Sequence, residues 1–176
     1  FTMPLTITIP AFTPSAFVTL SAVNDDPLDE DNETVVIDMT CDPNCTEATP
    51  QQQTVTIIDD TPPPTVALTV GSANINEKTG ATSTAVTVTL FAASAKAVSV
   101  TLATSGSAGS TDFTLPLKMT IPAGSSVGSV TLAAKDDPLD EDNETVIIDM
   151  ACDPNCAEAT PQQQTVTIVD ETDSPT

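Results

Sequence analysis

One stretch of this chain occurs twice, and the duplication limits the fold more than any other feature. Residues 25–61 align with residues 136–172 without a gap at an offset of 111, and 32 of the 37 positions are identical. The five differences are mild: Val36/Ile147, Thr40/Ala151, Thr46/Ala157, Ile58/Val169 and Asp60/Glu171. A weaker match continues upstream at an offset of 112, where Phe1-Thr2-Met3-Pro4-Leu5 parallels Phe113-Thr114-Leu115-Pro116-Leu117 and Ile9-Pro10-Ala11 parallels Ile121-Pro122-Ala123. Self-similarity at a fixed period marks a repeat architecture. Residues 65–172 therefore read as a complete repeat, and residues 1–61 as the back part of another, holding only its strands 4–7. Residues 62–64 (Pro-Pro-Pro) form a stiff linker, and 173–176 begin the next. On this reading the chain is an excerpt from a tandem array. The expected partners are neighbouring repeats of the same or an identical chain, with the missing strands supplied in cis or by strand addition.

The hydropathy pattern predicts an all-β fold. Val-Thr-Val-Thr-Leu at 86–90 and Ser-Val-Thr-Leu at 99–102 alternate apolar and hydroxyl side chains, as a half-buried strand requires. In the complete repeat the pattern predicts strands near 65–70, 84–92, 97–103, 115–121, 127–134, 145–151 and 164–169. In the partial repeat it predicts them near 3–9, 16–22, 34–40 and 53–58. Seven short strands in one repeat point to a seven-stranded antiparallel immunoglobulin-like β-sandwich, tandemly repeated.

Charge and missing residue types narrow the chemistry. The net charge is -21, from four Lys/Arg against 25 Asp/Glu. A chain this acidic is a poor match for nucleic acid phosphate or for an anionic membrane surface. No stretch reaches the ~20 apolar residues of a membrane-spanning helix. There is no His, Trp, Tyr or Arg, so Ser-His-Asp and Cys-His machinery and imidazole-ligated zinc are excluded within these residues. A carboxylate pair for glycoside hydrolysis remains conceivable, but the five Phe are the only aromatics available as a sugar platform. The expectation is a protein that is not an enzyme.

The duplicated stretch opens on Asp-Asp-Pro-Leu-Asp-Glu-Asp-Asn-Glu, at 25–33 and again at 136–144. Seven of its nine positions are acidic or amide, and none is Lys or Arg. In a seven-stranded sandwich this loop precedes the sixth strand and shares a pole with the end of the seventh, Asp170-Glu171. Glu77 and Asp112 reach the same pole from other loops. Ca²⁺ takes 6–8 hard oxygen ligands in irregular geometry, whereas Mg²⁺ demands stricter octahedral order. The competing reading is a solvated acidic turn without an ion.

These residues resemble the Calx-β domain, a module of sodium–calcium exchangers, an integrin β subunit and very large bacterial surface proteins. The matching features are Asp-Asp-x-x-x-Glu-x-x-Glu before a strand, a closing Ile-[Ile/Val]-Asp-[Asp/Glu], an upstream Glu-x-x-Gly and an Asp-Phe between the third and fourth strands. They cover residues 65–172 fully and 1–61 in part. The resemblance implies calcium ligands at Glu77, Asp112, Asp136, Asp137, Glu141, Glu144, Asp170 and Glu171, with the Leu139 carbonyl as a further donor. In the partial repeat it implies Asp25, Asp26, Glu30, Glu33, Asp59 and Asp60. Members with a full calcium complement often carry runs of three Asp; here Pro138 interrupts the first run and Thr172 ends the second.

Cys-Asp-Pro-Asn-Cys also occurs twice, at Cys41–Cys45 and Cys152–Cys156. Each pair can close a small disulfide loop at the hairpin between the sixth and seventh strands, opposite the acidic pole. Free thiols and a soft-metal site are the alternatives. Disulfides would place the chain in an oxidising compartment, extracellular or at the cell surface. Three Asn-x-Thr matches, at Asn32, Asn44 and Asn143, read as chance. Together these features predict a calcium-binding structural repeat of an extracellular array (adhesin, stalk or filament), with Ca²⁺ stiffening the junctions between repeats. A calcium-sensing regulatory module is the alternative; a carbohydrate-binding module fits less well.

Overall fold

A computed structural model describes residues 1–24, 28–41, 45–49, 51–138, 140–152, 155–159 and 163–171. The chain divides into two compact units. Unit 1 comprises Phe1–Pro27 and Asp31–Asp59; unit 2 comprises Leu28–Glu30 and Asp60–Thr176. Every regular element among the described residues is a strand.

Unit 1 contains a two-stranded antiparallel ribbon of β1 (Glu33–Ile37) and β2 (Gln53–Ile57). Its register pairs Glu33 with Ile57 and Ile37 with Gln53. The strands expected near 3–9 and 16–22 do not form; a single antiparallel bridge between Thr2 and Ser21 stands in their place. A two-stranded ribbon is marginal in water because it has little face to bury. Of the large apolar side chains among the described residues of unit 1, only Val35 is buried.

Unit 2 is a sandwich of two sheets. Its strands are β3 (Thr65–Val70), β4 (Asn74–Asn76), β5 (Ser83–Leu90), β6 (Val98–Gly106), β7 (Phe113–Thr114), β8 (Lys118–Ile121), β9 (Val127–Ala134), β10 (Glu144–Cys152), β11 (Ala157–Glu158) and β12 (Gln164–Val169). One sheet has the order β4-β12-β10-β6-β8 and the other β11-β3-β5-β9-β7. The expected seven strands are all present, with the fourth shortened to β8. Three short ones, β4, β7 and β11, were not anticipated, so the described chain has twelve strands rather than seven in a repeat. Nor is the pairing wholly antiparallel: β4 runs parallel to β12 and β11 parallel to β3. Both are two- or three-residue edge pieces, too short to leave a period-2 signal.

The alternation in sequence becomes the core. Along β5 the inward residues are Thr84, Val86, Val88 and Leu90, and along β6 they are Val98, Val100 and Leu102. They meet Ile121, Leu132, Val146, Ile148, Val166 and Ile168, all essentially without exposure. Each such side chain contributes ~1.5–3 kcal/mol relative to leaving it in water. Unit 2 thus closes a core built mainly of Val, Leu and Ile, with Met119 and Met150 among them and Phe113 packed against it.

Unit 2 also takes in Leu28–Glu30, where Asp29 makes a charged contact. Asp29 is 5% exposed; its Oδ1 accepts a hydrogen bond from Lys96 Nζ at 3.1 Å, and its Oδ2 one from Ser94 Oγ at 3.3 Å. The Ala95 amide donates to the Asp29 carbonyl at 3.2 Å. A buried carboxylate is tolerable here because it has both a counter-ion and hydrogen bonds.

Candidate metal centre

The acidic pole of unit 2 is built by four strand ends. Strands β10 and β12 pair with Glu144 opposite Ile168, so the start of one and the end of the other lie together. Strand β4 runs parallel beside β12, with Asn76 opposite Val169, and delivers Glu77; the Glu77 amide donates to the Val169 carbonyl at 3.2 Å. Asp112 arrives from the chain after β6. That segment stays attached to β10: the Thr145 amide donates to Ser107 Oγ at 2.9 Å, and the Ala108 amide to the Thr145 carbonyl at 3.1 Å. The Lys135 amide then donates to the Asp112 carbonyl at 2.8 Å and ties Asp112 to the end of β9.

Three of these carboxylates converge. Asp112, Glu141 and Glu144 each present an oxygen, and the three oxygens lie within 4.8 Å of one another. Oxygens on opposite sides of a Ca²⁺ ion, each ~2.4 Å from it, stand about that far apart. Glu144 Oε2 is shut off from solvent and has no hydrogen-bond partner among the described residues. An orphaned carboxylate oxygen at this depth is costly unless something cationic meets it. The donor set is therefore hard oxygen only, and it fits an alkaline-earth ion.

The electrostatics agree with the geometry. Exclusion from water pushes the Glu144 carboxyl up to about 7, helped by its hydrogen bond to Asp112 and by the negative charges of Asp112, Glu141 and Glu77. Glu77 is 7% exposed and is also raised, first by desolvation and then by the charges of Asp170, Asp137, Glu141 and Asp112. Glu141 is raised by desolvation, then by Asp137, Asp112 and Asp170. Asp112 moves the other way. Thr111 Oγ1 donates to its Oδ1 at 2.7 Å and the Gly109 amide to its Oδ2 at 2.5 Å, and these bonds hold it ionised. One carboxylate is thus fixed as an anion while three neighbours resist ionisation.

The remaining candidates take different positions. Asp170 accepts the Glu141 amide on Oδ2 at 2.9 Å, linking the loop to the strand end. Asp137 sits close enough to raise Glu77 and Glu141. Asp136 is exposed and faces Lys78 Nζ at 3.9 Å. Glu171 turns towards residues 78–79: its Oε2 accepts the Lys78 and Thr79 amides, its Oε1 accepts Thr79 Oγ1, and these bonds lower its pKa. In the first copy, Asp25 and Asp26 lie outside the described residues, as does Leu139 in the second. Glu33 and Asp59 belong to unit 1, Glu30 and Asp60 to unit 2. Among the described residues, the Asp112 group is the one cluster with metal-binding spacing.

One positioning residue escaped the sequence reading. Asn143 Oδ1 accepts the Asp170 amide at 3.2 Å, and in unit 1 Asn32 Oδ1 accepts the Asp59 amide at 3.0 Å. The two pairs occupy the same repeat positions. The signal was available: each Asn sits beside the glutamate that starts a strand, in both copies. The disulfides do form as expected, Cys41–Cys45 and Cys152–Cys156, each with Cα atoms 5.9 Å apart, within the normal range. Cys152 ends β10 and Glu144 begins it, so the bridge and the acidic cluster occupy opposite ends of that strand.

Comparison with known proteins gives fold-level likeness. No protein-family model matches the chain, and no curated protein matches it. Among solved structures, the apo-form Calx CBD1 domain aligns with a TM-score of 0.51 at 18% identity, over 62% of this chain and 98% of that one. A two-domain protein of unknown function from Bacteroides fragilis aligns with a TM-score of 0.52 at 14% identity, over 64% of this chain and 47% of that one. The calcium binding domain CBD12 of CALX1.1 aligns with a TM-score of 0.48 at 24% identity; 55% of this chain matches 40% of its length. The fold is Calx-β-like.

Proposed function

We propose that the chain is a calcium-binding structural repeat rather than an enzyme, working in an extracellular tandem array such as an adhesin, stalk or filament. The observation that carries the reading is the Asp112, Glu141 and Glu144 cluster with its orphaned Glu144 oxygen. Its ligands come from the segment after β6, the 136–144 loop and the start of β10. A cation there joins parts of the chain that otherwise repel. Asp137, Asp170 and Glu77 add negative charge beside the cluster.

The mechanism is electrostatic. Without metal, burial and neighbouring charge raise the Glu144 carboxyl to about 7, and Asn143 and Asp170 tie the acidic loop to the end of β12. Asp112, Glu141 and Glu144, with its otherwise unpartnered Oε2, would hold a Ca²⁺ ion, which would supply the positive charge that the cluster lacks. In an array this pole is where the chain leaves one repeat, so the ion stiffens the junction to the next. Near-identical repeats suit such a role, since each adds length rather than new chemistry. The two disulfides fit an oxidising, extracellular setting.

The test is thermal unfolding and small-angle scattering of the protein with Ca²⁺ and with EDTA. Chelation is expected to lower the transition temperature and alter the scattering profile. Identical curves in both conditions reject the calcium reading.

A further inference from the structure

The step from β10 to β11 carries the chain from one sheet of unit 2 to the other. Cys152 ends β10 in the first sheet, and Ala157 opens β11 at the edge of the second. The Cys152–Cys156 bridge spans that step, so the residue just before β11 is tied covalently to the last residue of β10. Both cysteines are half-buried and pack against the core. A second tie crosses the same step: the Cys152 amide donates to Glu158 Oε1 at 3.0 Å. Unit 1 builds the same two ties, with the Cys41–Cys45 bridge and the Cys41 amide donating to Glu47 Oε1 at 2.6 Å. Residues 46–47 belong to no strand there. The bridge and the glutamate bond therefore form without the strand pairing that follows them in unit 2.

In unit 2 these ties bear on the segment that precedes β3. Strand β11 runs parallel to β3, with Ala157 opposite Thr65. The Ala157 amide donates to the Pro64 carbonyl at 3.0 Å, and the Ala159 amide to the Val66 carbonyl at 2.7 Å. Pro64 is buried. A proline has no N–H, so its carbonyl is its one main-chain hydrogen-bonding group, and here β11 takes it. From Thr65 onward β3 is held from its other side as well: the Phe91 amide donates to the Thr65 carbonyl at 2.9 Å, and Val66 pairs with Leu90. The last of the three prolines thus leans on β11 in a way that the rest of β3 does not. Two main-chain bonds are little to set against the entropy of ordering a free segment. The covalent ring removes part of that freedom in advance.

We propose that the Cys152–Cys156 ring is a redox-sensitive strap on the Pro-rich segment. Closed, it holds β11 against β3 and clamps Pro64 to unit 2. Opened by a dithiol, it releases β11, and the Pro64 carbonyl loses its partner. The exchange balances: two electrons and two protons pass to the bridge and give two cysteine thiols, while the dithiol closes into its own disulfide. The sandwich survives the change, because β10 is held by its ladders to β6 and β12, and β3 by its ladder to β5. Reduction therefore acts on how firmly residues 62–64 are anchored, and leaves the core in place. The strap lies at the end of β10 away from Glu144 and stands whether or not the acidic pole binds Ca²⁺.

The experiment follows amide hydrogen exchange in the full chain before and after dithiothreitol, with EDTA present throughout. Exchange at Ala157 and Ala159 is expected to rise at least ~10-fold on reduction and to recover on reoxidation, while the amides of β10 and β12 change less than ~2-fold. The NMR order parameter of the Thr65 amide falls in step. The Cys152→Ser/Cys156→Ser chain shows the released pattern at the outset and no longer responds to dithiothreitol. The Cys41→Ser/Cys45→Ser chain keeps the full response at Ala157 and Ala159, which separates the two bridges. Glu158→Ala, with the bridge intact, gives a partial rise that reduction completes. Unchanged exchange at Ala157 and Ala159 on reduction, an equal rise along β10 and β12, or a response lost in the Cys41→Ser/Cys45→Ser chain would each overturn the proposal.

Discussion

Glu144 and Asp112 each bring a carboxylate oxygen within 4.8 Å of the other at the acidic pole of unit 2, with Asp112 held ionised by Thr111 and Gly109 and Glu144 pushed up to about 7, first by burial. The two carboxyls are pushed in opposite directions, one towards the anion and the other towards the acid. The sequence puts them 32 residues apart; the attachment of residues 107–108 to Thr145 brings them together.

The raised carboxyl predicts an unusual pH dependence for the calcium-free protein. Glu144 has a folded pKa of about 7, above its ordinary value of 4.5, so the folded state binds more protons than the unfolded state between those values. Stability then falls as pH rises from ~4.5 through ~7. Glu77 and Glu141 are raised too and add to the same slope. Asp112 and Glu171 are lowered and act oppositely, their contribution being lost only as pH falls below the usual carboxylate range. Urea unfolding in EDTA at pH 5 and pH 8 checks this; a protein more stable at pH 8 contradicts it.

Replacing the raised carboxyl separates charge from shape. Glu144→Gln removes the group that resists ionisation while keeping its size. In EDTA at pH 8 the variant is expected to melt a few degrees higher than the parent, since a shift of ~1 kcal/mol moves Tm by a few degrees in a domain of this size. With Ca²⁺ the order reverses, because a ligand is lost. A variant less stable in both conditions contradicts the role assigned to Glu144.

Asn143 tests whether the loop is positioned. Asn143→Ala leaves the Asp170 amide without its acceptor, a loss of about 1 kcal/mol. Calcium affinity is expected to fall several-fold, because Asp170 also fixes Glu141 through its amide. The matched change Asn32→Ala in unit 1 leaves the affinity of the unit 2 site unchanged. Equal losses from the two variants would contradict a local effect.

The disulfide Cys152–Cys156 closes a short ring, and its removal is expected to cost less than the ~3 kcal/mol of a 15-residue loop. In the Cys152→Ser/Cys156→Ser protein, calcium binding persists, since the bridge lies at the far end of β10 from Glu144. Calorimetric titration of the double variant checks this; loss of binding would show that the two ends of β10 are coupled.

The longer strands of unit 2 were legible in the sequence because alternation in β5 and β6 reports a half-buried face directly. It also located the acidic pole, because sandwich topology alone brings the start of β10 to the end of β12. Three things stayed hidden. Strands β4, β7 and β11 are too short to show a period, and two of their pairings are parallel. The segments 3–9 and 16–22 carry strand-like alternation but lack partners, so local pattern did not become structure. The loop seemed to lack cations because Lys78 comes from the turn after β4, and Glu171 answers Thr79 in that turn rather than the cluster. Which carboxylate turns inward depends on a few hydrogen bonds that no spacing encodes.

The most direct test of the calcium account is isothermal titration of Ca²⁺ into the EDTA-stripped full chain, run at pH 6 and pH 8 with the Glu144→Gln variant alongside. The account predicts saturable binding that strengthens with pH, releases protons at pH 6 and weakens at least ~10-fold in the variant. Absence of saturable heat at both pH values, or equal binding by the parent and the variant, would contradict it.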